Sequence, residues 1–182
     1  CMGFGERQIR GHQVITGAEV LTHAGIDPHE RRDRRTHHVA GDVGLVHARL
    51  AIIDLASGDQ PLRDKGGAAL VANAEIYNYV ELRQQMPGAA FATKSDCEPA
   101  LPLYRRDGAA FAASLRGMYA LALHDANGGE LVLSRDPFGI KPLYYAETPQ
   151  GLAFASEPRA FFAARLLSPS VVPRARNELL QL

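Results

Sequence analysis

The chain has 182 residues, with 20 Lys plus Arg and 20 Asp plus Glu, so its formal net charge is zero. Hydrophobic residues are 46% and charged residues 22% of the sequence, which argues against a disordered chain and offers no basic surplus for nucleic acid. No apolar run approaches the roughly 20 residues that span a bilayer, so we expect no membrane partner.

The first half of the chain predicts a loop, two strands and a helix. Residues 27–38 are dense in charge and almost free of apolar side chains, so we expect an exposed loop with His37 and His38 solvated rather than in a metal site. Residues 44–55 and 69–77 are rich in apolar and β-branched side chains and predict strands. A short helix is predicted over 79–86, ended by Pro87-Gly88.

The second half predicts two hairpins and three further short helices. Ser95 or Asp96 can cap a helix that runs to about Arg106, and another short helix follows over 109–115. The Asn-Gly-Gly sequence at 127–129 predicts a turn between strands 118–124 and 130–134. Strands 143–146 and 152–155 form a second hairpin, and a helix is predicted over 158–164. Few helices beside hairpin-linked strands indicate an α+β fold with antiparallel sheets.

The two cysteines are Cys1 and Cys97. So few cysteines, with no visible secretion signal, favour a reduced cytoplasmic protein, and no Cys/His grouping has zinc spacing. If Cys1 is the mature start, it supplies a thiol nucleophile and an α-amino base whose ordinary pKa is about 7.7–8.0. The alternative is that Cys1 only marks where a fragment begins.

Other candidate site residues lie in or near the predicted strands. Asn73 could donate its side-chain amide to a developing oxyanion, although a strand end capped by Asn and Glu is the structural alternative. Arg49 could bind a carboxylate through two hydrogen bonds, or be an exposed edge arginine. Asp96 could bind an ammonium group, or be a helix cap.

The order of several short motifs carries more information than any one of them. The motifs are Cys1, His47–Leu55, Gln60–Leu62, Asn73–Asn78, Ser95–Glu98, Arg116–Ala120, Arg135–Tyr145 and Ala155–Glu157. Together they closely resemble the glutaminase domain of glutamine-hydrolysing asparagine synthetases, a class II glutamine amidotransferase of the N-terminal-nucleophile hydrolase family. The resemblance is strong from about Gly44 to Phe161 and poor between Met2 and Val43.

The resemblance implies a four-layer αββα sandwich that hydrolyses the side-chain amide of L-glutamine to glutamate and ammonia. By this resemblance Cys1 is the nucleophile with its own α-amino group as base, and Asn73 with the backbone N–H of Ala74 forms the oxyanion hole. Arg49 and Asp96 hold the α-carboxylate and the α-ammonium of glutamine, and Glu75 lies beside them.

The resemblance also implies how the chain is divided and what it works with. Residues 1–165 are predicted to form the amidotransferase domain, and residues 166–182 a tail or the start of a linker. We expect no cofactor or metal in this domain. ATP and Mg are expected only in a synthetase domain that accepts the ammonia, whose Ser-Gly-Gly-x-Asp-Ser loop is absent from this sequence. A homodimer is possible on the same grounds.

Three departures from the family pattern leave alternatives open. Ala74 stands where the family usually has Gly, Met2 follows Cys1, and residues 31–37 replace the usual Arg-Gly-Pro-Asp loop. A positive φ at Ala74 would be strained. The alternatives to an active glutaminase are a degenerate domain that binds or regulates, and a related hydrolase acting on another amide.

Overall fold

The computed structural model of the chain describes residues 7–10, 33–50 and 59–170. The strands of this part are β1 (Arg7–Arg10), β2 (Asp33–Ala40), β3 (Val43–Leu50), β4 (Leu62–Arg63), β5 (Ala68–Ile76), β6 (Gly117–Asp125), β7 (Glu130–Arg135), β8 (Tyr144–Thr148) and β9 (Gly151–Ala155). The helices are α1 (Tyr79–Gln85), α2 (Ala100–Asp107), a 3₁₀ helix (Gly108–Ser114) and α3 (Arg159–Ala163).

The main sheet is antiparallel, with strand order β1-β7-β6-β5-β4. Its centre is the long pairing of β5 with β6, in which Ala68 lies opposite Asp125 and Ile76 opposite Gly117. The predicted Asn-Gly-Gly turn joins β6 to β7, and Gly129 has the positive φ of +64° that suits glycine in such a turn. Two further hairpins, β2–β3 and β8–β9, are also antiparallel.

The two faces of β5 are buried against different partners because successive strand residues point to opposite sides. Leu70 and Ala72 face a cluster that contains Leu103 of α2 and Phe111 of the 3₁₀ helix. A second cluster lies on the other face, formed with β3, β6, β7 and β9. Its buried members are Val43, Leu45, Ala69, Val71, Ala122, Leu131, Leu133 and Leu152. Both faces of the main sheet are therefore covered, one by helices and one by strands.

The remaining helix, α3, contacts β9 on the side that faces away from the main sheet. The second cluster lies between the main sheet and the strands β3 and β9, and we call it the inter-sheet cluster. Leu152 is a member and Phe154 packs against it, so Ala153 between them points the other way. Ala153 is nevertheless buried, and α3, which buries Phe161, contacts β9. The predicted α+β fold with antiparallel sheets in an αββα arrangement is thereby confirmed. Within the described ranges, none of the helices is long and apolar enough to cross a membrane.

The prediction of an exposed loop over residues 27–38 is wrong for residues 33–38, which belong to β2. Burial alternates along this strand, so His37 is exposed while His38 is only 9% exposed and contacts Arg63, with 2.7 Å between His38 Nδ1 and Arg63 Nη1. The predicted solvation of both histidines is therefore wrong for His38. In a half-buried strand only every second side chain points inward. A strand can therefore form in a charge-rich segment whose composition predicts an exposed loop.

The other elements agree with the sequence except near α2. The predicted helix from Ser95 or Asp96 begins only at Ala100, with Pro99 as its N-terminal flanking residue and no side-chain cap. The helix predicted over 109–115 is a 3₁₀ helix, and the strand predicted to reach residue 55 is described as far as Leu50. Residues 51–55 lie outside the described part of the chain.

Candidate active site

The candidate site is built on the last residues of β5. Ala72, Ala74 and Ile76 direct their side chains to the helical layer, where Ile76 is buried and Ala74 packs against the cluster. Asn73 and Glu75 alternate with them, point to the inter-sheet side and are exposed. The strand therefore presents an amide and a carboxylate on one face at its end, next to solvent.

The backbone N–H and C=O groups of β5 also alternate in direction, pointing toward β6 at one residue and away from it at the next. Tyr119, the partner of Ala74 on β6, directs both of its backbone groups to Asp136, with 2.8 Å from Asp136 N to Tyr119 O and 3.2 Å from Tyr119 N to Asp136 Oδ2. Because antiparallel pairs alternate between bonded and non-bonded, the N–H of Ala74 points away from β6. The amides of Ala72 and Ile76 share that direction.

These three amides lie along the outer edge of β5, where the short pairing with β4 has ended at Leu70. The Gln60 side chain covers Ala72, because Gln60 Nε2 donates to Ala72 O at 2.9 Å and Ala72 N donates to Gln60 Oε1 at 2.5 Å. Ile76 N donates to Asp96 Oδ2 at 2.7 Å. The Ala74 N–H between them has no acceptor among the described residues, as an oxyanion donor requires.

Ala74 itself fits the strand without strain. Among the non-glycine residues of the described ranges, only Arg165 has a positive φ. The alanine therefore keeps ordinary strand geometry and still offers its N–H at the edge. The predicted strain from replacing the family's glycine does not arise in this backbone.

Asp96 reaches the site from the turn before α2. Its Oδ2 accepts the Ile76 amide, and Cys97 Sγ donates to its Oδ1 at 3.6 Å. Cys97 is buried, and its backbone N donates to Ser95 Oγ at 3.2 Å. Burial raises the pKa of the Cys97 thiol to about 12, and the neighbouring Asp96 carboxylate adds to the rise. The thiol is therefore protonated over the whole physiological range.

Buried Asn78 and partly buried Gly117 connect the end of β5 to β6 and to the residues that precede β6. The Asn78 side chain donates to Ser114 O at 3.0 Å and accepts from Arg116 N at 2.9 Å. Gly117 passes so close to β5 that a Cβ there would lie 2.1 Å from the Glu75 carbonyl oxygen. Only glycine allows this approach, so Gly117 and Asn78 set the position of Asn73–Glu75 relative to β6.

The loop after β7 is fixed at the same end of the sheet by Asp136. Its buried carboxylate accepts backbone N–H groups of Tyr119, Phe138, Ile140 and Lys141 at 2.9–3.2 Å. Burial alone would raise the pKa of this carboxyl, but the four donors outweigh burial and lower the pKa below its usual range. The Arg-Asp-Pro-Phe-Gly sequence at residues 135–139 therefore forms a turn that this carboxylate holds in place.

The structure brings together four of the six predicted site residues. Asn73, Ala74 and Glu75 are consecutive on β5, and the hydrogen bond to Ile76 ties Asp96 to the same strand end. Arg49 lies in β3, where it pairs with Arg34, and its side chain is outside the described part. Cys1 and Met2 are also outside it.

Sequence reasoning assigned no role to two residues that the structure places in contact with this site. Gln60 covers the edge of β5, and Cys97 donates to Asp96. In the sequence Gln60 stood out only as part of a motif. A side chain that forms the hydrogen bonds of a neighbouring strand is not marked by any local sequence pattern. Cys97 follows Asp96 directly, and adjacency to a candidate binding residue was the available signal. No group of three or more His, Cys, Asp or Glu that could hold a metal occurs among the described residues.

Known proteins are similar in sequence to most of this chain. It is 41% identical over 132 residues to asparagine synthetase (glutamine-hydrolyzing) 2 of Bacillus subtilis, covering 72% of this chain and 18% of that protein. It is 40% identical over 154 residues to amidase chry2 of Gibberella zeae, covering 83% of this chain and 22% of that protein. The chain thus spans about a fifth of the length of these curated relatives.

A solved structure and a family profile extend the comparison. Glutamine phosphoribosylpyrophosphate amidotransferase of Bacillus subtilis superimposes with a TM-score of 0.57 and 28% identity, covering 67% of this chain and 29% of that chain. The profile described as glutamine amidotransferase domain matches residues 6–182. The resemblance noted in the sequence is thereby confirmed, and the chain belongs to the glutamine amidotransferase domain family.

Proposed function

We propose that this chain is a glutaminase domain that hydrolyses the side-chain amide of L-glutamine to glutamate and ammonia. The observation that carries the proposal is the outer edge of β5, where the Ala74 N–H has no acceptor among the described residues and the Asp96 carboxylate is bound to Ile76, two residues further along the same edge. An oxyanion donor and an ammonium acceptor at one strand end suit a free α-amino acid with a side-chain amide. Family membership and the names of the relatives support the same substrate.

The proposed reaction uses a thioester. The Cys1 thiol gives its proton to the Cys1 α-amino group and attacks the amide carbon of glutamine, while Asn73 Nδ2 and the Ala74 N–H stabilise the oxyanion. The C–N bond then breaks, the leaving nitrogen takes up the proton, and ammonia departs from a γ-glutamyl thioester. Water, deprotonated by the same amine, hydrolyses the thioester to glutamate and restores the thiol.

The remaining substrate contacts are assigned to three residues. Asp96 holds the α-ammonium, Arg49 the α-carboxylate, and Glu75, exposed beside Asn73, contributes a further polar contact. No cofactor or metal is part of this proposal. The ammonia goes to an amide-forming synthetase domain or chain, which would bind ATP and Mg, and aspartate is the acceptor that the names of the relatives suggest.

Two alternatives are kept because specific observations favour them. The charged residues 31–37 in place of the family's loop, together with Met2, favour a degenerate domain that binds without hydrolysis. The strand conformation of Ala74 removes one reason for that alternative. Similarity to a protein named amidase favours hydrolysis of another amide. Because Asp96 suits an amino acid better than a simple amide, we place glutamine first.

A cytoplasmic location belongs to the same proposal.

The test is release of glutamate and ammonia from L-glutamine, measured for the wild type and for Cys1→Ala. Mass spectrometry first establishes that Cys1 is the first residue, since an extra residue would remove the free amine. Turnover that vanishes in Cys1→Ala supports the proposal. Binding of L-glutamine without turnover identifies the degenerate domain, and turnover of other amides but not glutamine identifies the third alternative.

A further inference from the structure

The Asp96 carboxylate is held by donors from two different parts of the fold. The Ile76 N–H at the end of β5 donates to Oδ2 at 2.7 Å, and the Cys97 thiol donates to Oδ1 at 3.6 Å. A carboxylate offers about four lone-pair positions, so donors among the described residues occupy two of them and leave one on each oxygen. With both oxygens engaged, rotation about the Cβ–Cγ bond of Asp96 would break one or both hydrogen bonds.

Cys97 is well suited to act as a permanent donor and poorly suited to react. The residue is 5% exposed and belongs to the core cluster on the helical side of the main sheet, together with Ala100 and Leu101. The hydrogen bond from its backbone N to Ser95 Oγ fixes the turn that carries both Asp96 and Cys97. Because burial and Asp96 keep the pKa of the thiol near 12, the proton needed for donation stays in place.

We propose that Cys97 is a positioning residue, whose S–H orients the Asp96 carboxylate so that its free lone pairs meet the α-ammonium of the substrate. This inference rests on the proposed function, in which Asp96 is the ammonium acceptor. In this proposal Cys97 takes no part in the chemical step. Its influence passes through Asp96 and therefore affects recognition of the ammonium rather than the chemical step.

The test compares a donor and a non-donor of nearly equal shape at position 97. Cys97→Thr keeps a hydroxyl donor, whereas Cys97→Val replaces it with a methyl group. The substrates are L-glutamine and glutaramic acid, which is glutamine without its α-amino group. For each variant kcat and KM are measured for both, with the thermal unfolding midpoint recorded to separate folding from function. If either variant fails to fold, Cys97→Ser and Cys97→Ala form the equivalent pair.

We expect the non-donor to raise KM for L-glutamine about fivefold or more, which corresponds to the loss of one ordinary hydrogen bond. KM for glutaramic acid and kcat for both substrates should stay within about twofold, and the donor variant should restore KM for glutamine. An equal change for both substrates, or no change for either, overturns the inference, because a packing role has no reason to sense the ammonium.

A separate arm keeps this inference distinct from the proposed function. Asp96→Asn removes the charge that attracts the ammonium, so KM for L-glutamine should rise more than in Cys97→Val. If Asp96→Asn has its effect and Cys97→Val has none, only the positioning role fails. If Asp96→Asn changes nothing, or if the wild type neither hydrolyses nor binds L-glutamine in calorimetry, the proposed function fails and this inference with it.

Discussion

At the scale of single residues, the proposed oxyanion site depends on which hydrogen-bond donors remain without a partner in the described part of the chain. Asn73 and Ala74 are neighbours, yet one offers a side-chain amide on the inter-sheet face and the other a backbone N–H at the sheet edge. The alternation of β5 separates these two donors in direction while keeping them one residue apart. Donors placed before reaction cost no reorganisation when charge develops, which is why they act on kcat.

Replacing Asn73 with alanine should therefore lower kcat while leaving KM nearly unchanged. Loss of one oxyanion-hole donor typically reduces kcat by about 10²–10³-fold. Steady-state glutamate release from L-glutamine measures both constants. Asn127→Ala is the matched control, because Asn127 lies on the β6–β7 turn at the opposite end of β6 and donates to Gly66 O. An unchanged kcat in Asn73→Ala, or an equal loss in the control, would remove Asn73 from the oxyanion site.

The two cysteines should differ in reactivity with alkylating reagents. Cys97 is buried and the pKa of its thiol is raised to about 12, so its thiolate fraction at pH 7.5 is negligible. Brief treatment of the folded protein with iodoacetamide should modify Cys1 and spare Cys97, whereas both react in urea. Peptide mass spectrometry reads the two sites separately. Labelling of Cys97 at the rate seen in urea would mean that this thiol is not enclosed as described.

At the scale of elements, the site depends on how closely β6 can approach β5. Gly117 has a φ of +155° and lies against the Glu75 carbonyl, at the end of the segment Asn73–Glu75. Any side chain at position 117 must push the two strands apart. The closeness of this contact therefore determines where the proposed oxyanion donors lie relative to the rest of the sheet.

Gly117→Ala should destabilise the protein by more than about 2 kcal/mol, because overpacking and backbone strain add. Gly129→Ala is the control: Gly129 also has a positive φ, of +64°, but nothing lies where its Cβ would be. The control should cost only about 1 kcal/mol, the usual cost of a left-handed conformation. Urea unfolding monitored by circular dichroism measures both. Equal costs at the two positions would show that the Glu75 contact is unimportant.

The elements that could be predicted from the sequence are those with local signals. The Asn-Gly-Gly turn and the apolar runs of β5 and β6 can each be recognised from a few consecutive residues. β2 could not be recognised because its inward position is occupied by His38. From the residues alone, a helix cap remained an alternative for Asp96, because its partner Ile76 lies 20 residues away. Interactions between distant residues leave no periodic pattern, and the finer geometry of the site consists of such interactions.

At the scale of the whole molecule, two histidines are enclosed between the strand layers. His38 on β2 lies opposite Leu45, and His124 follows Ala122 on the same face of β6, so both belong to the inter-sheet space. Their ring centroids are 6.0 Å apart, and His38 Nε2 and His124 Nδ1 have no hydrogen-bond partner in the described part of the chain. Protonating either ring would place a charge between the layers.

The pKa values of both rings are lowered from their ordinary value. Burial is the main cause for each; Arg63 adds to it for His38, and His38 adds to it for His124, where Asp125 acts in the opposite direction. A histidine with a lowered folded-state pKa binds a proton more readily in the unfolded chain. Its contribution to stability is therefore complete above the unfolded pKa near 6.5 and is lost as the pH falls below it.

The free energy of unfolding of the wild type should consequently fall between pH 8 and pH 5. Replacing His38 with glutamine removes one titrating ring while keeping a polar side chain, so the variant should lose less stability over the same range. His37→Gln is the matched control: this neighbour on β2 is exposed, and its removal should leave the wild-type pH dependence intact. Urea titrations at half-unit pH steps measure all three proteins. Parallel curves for the wild type and His38→Gln would mean that protonation of His38 is not coupled to separation of the layers.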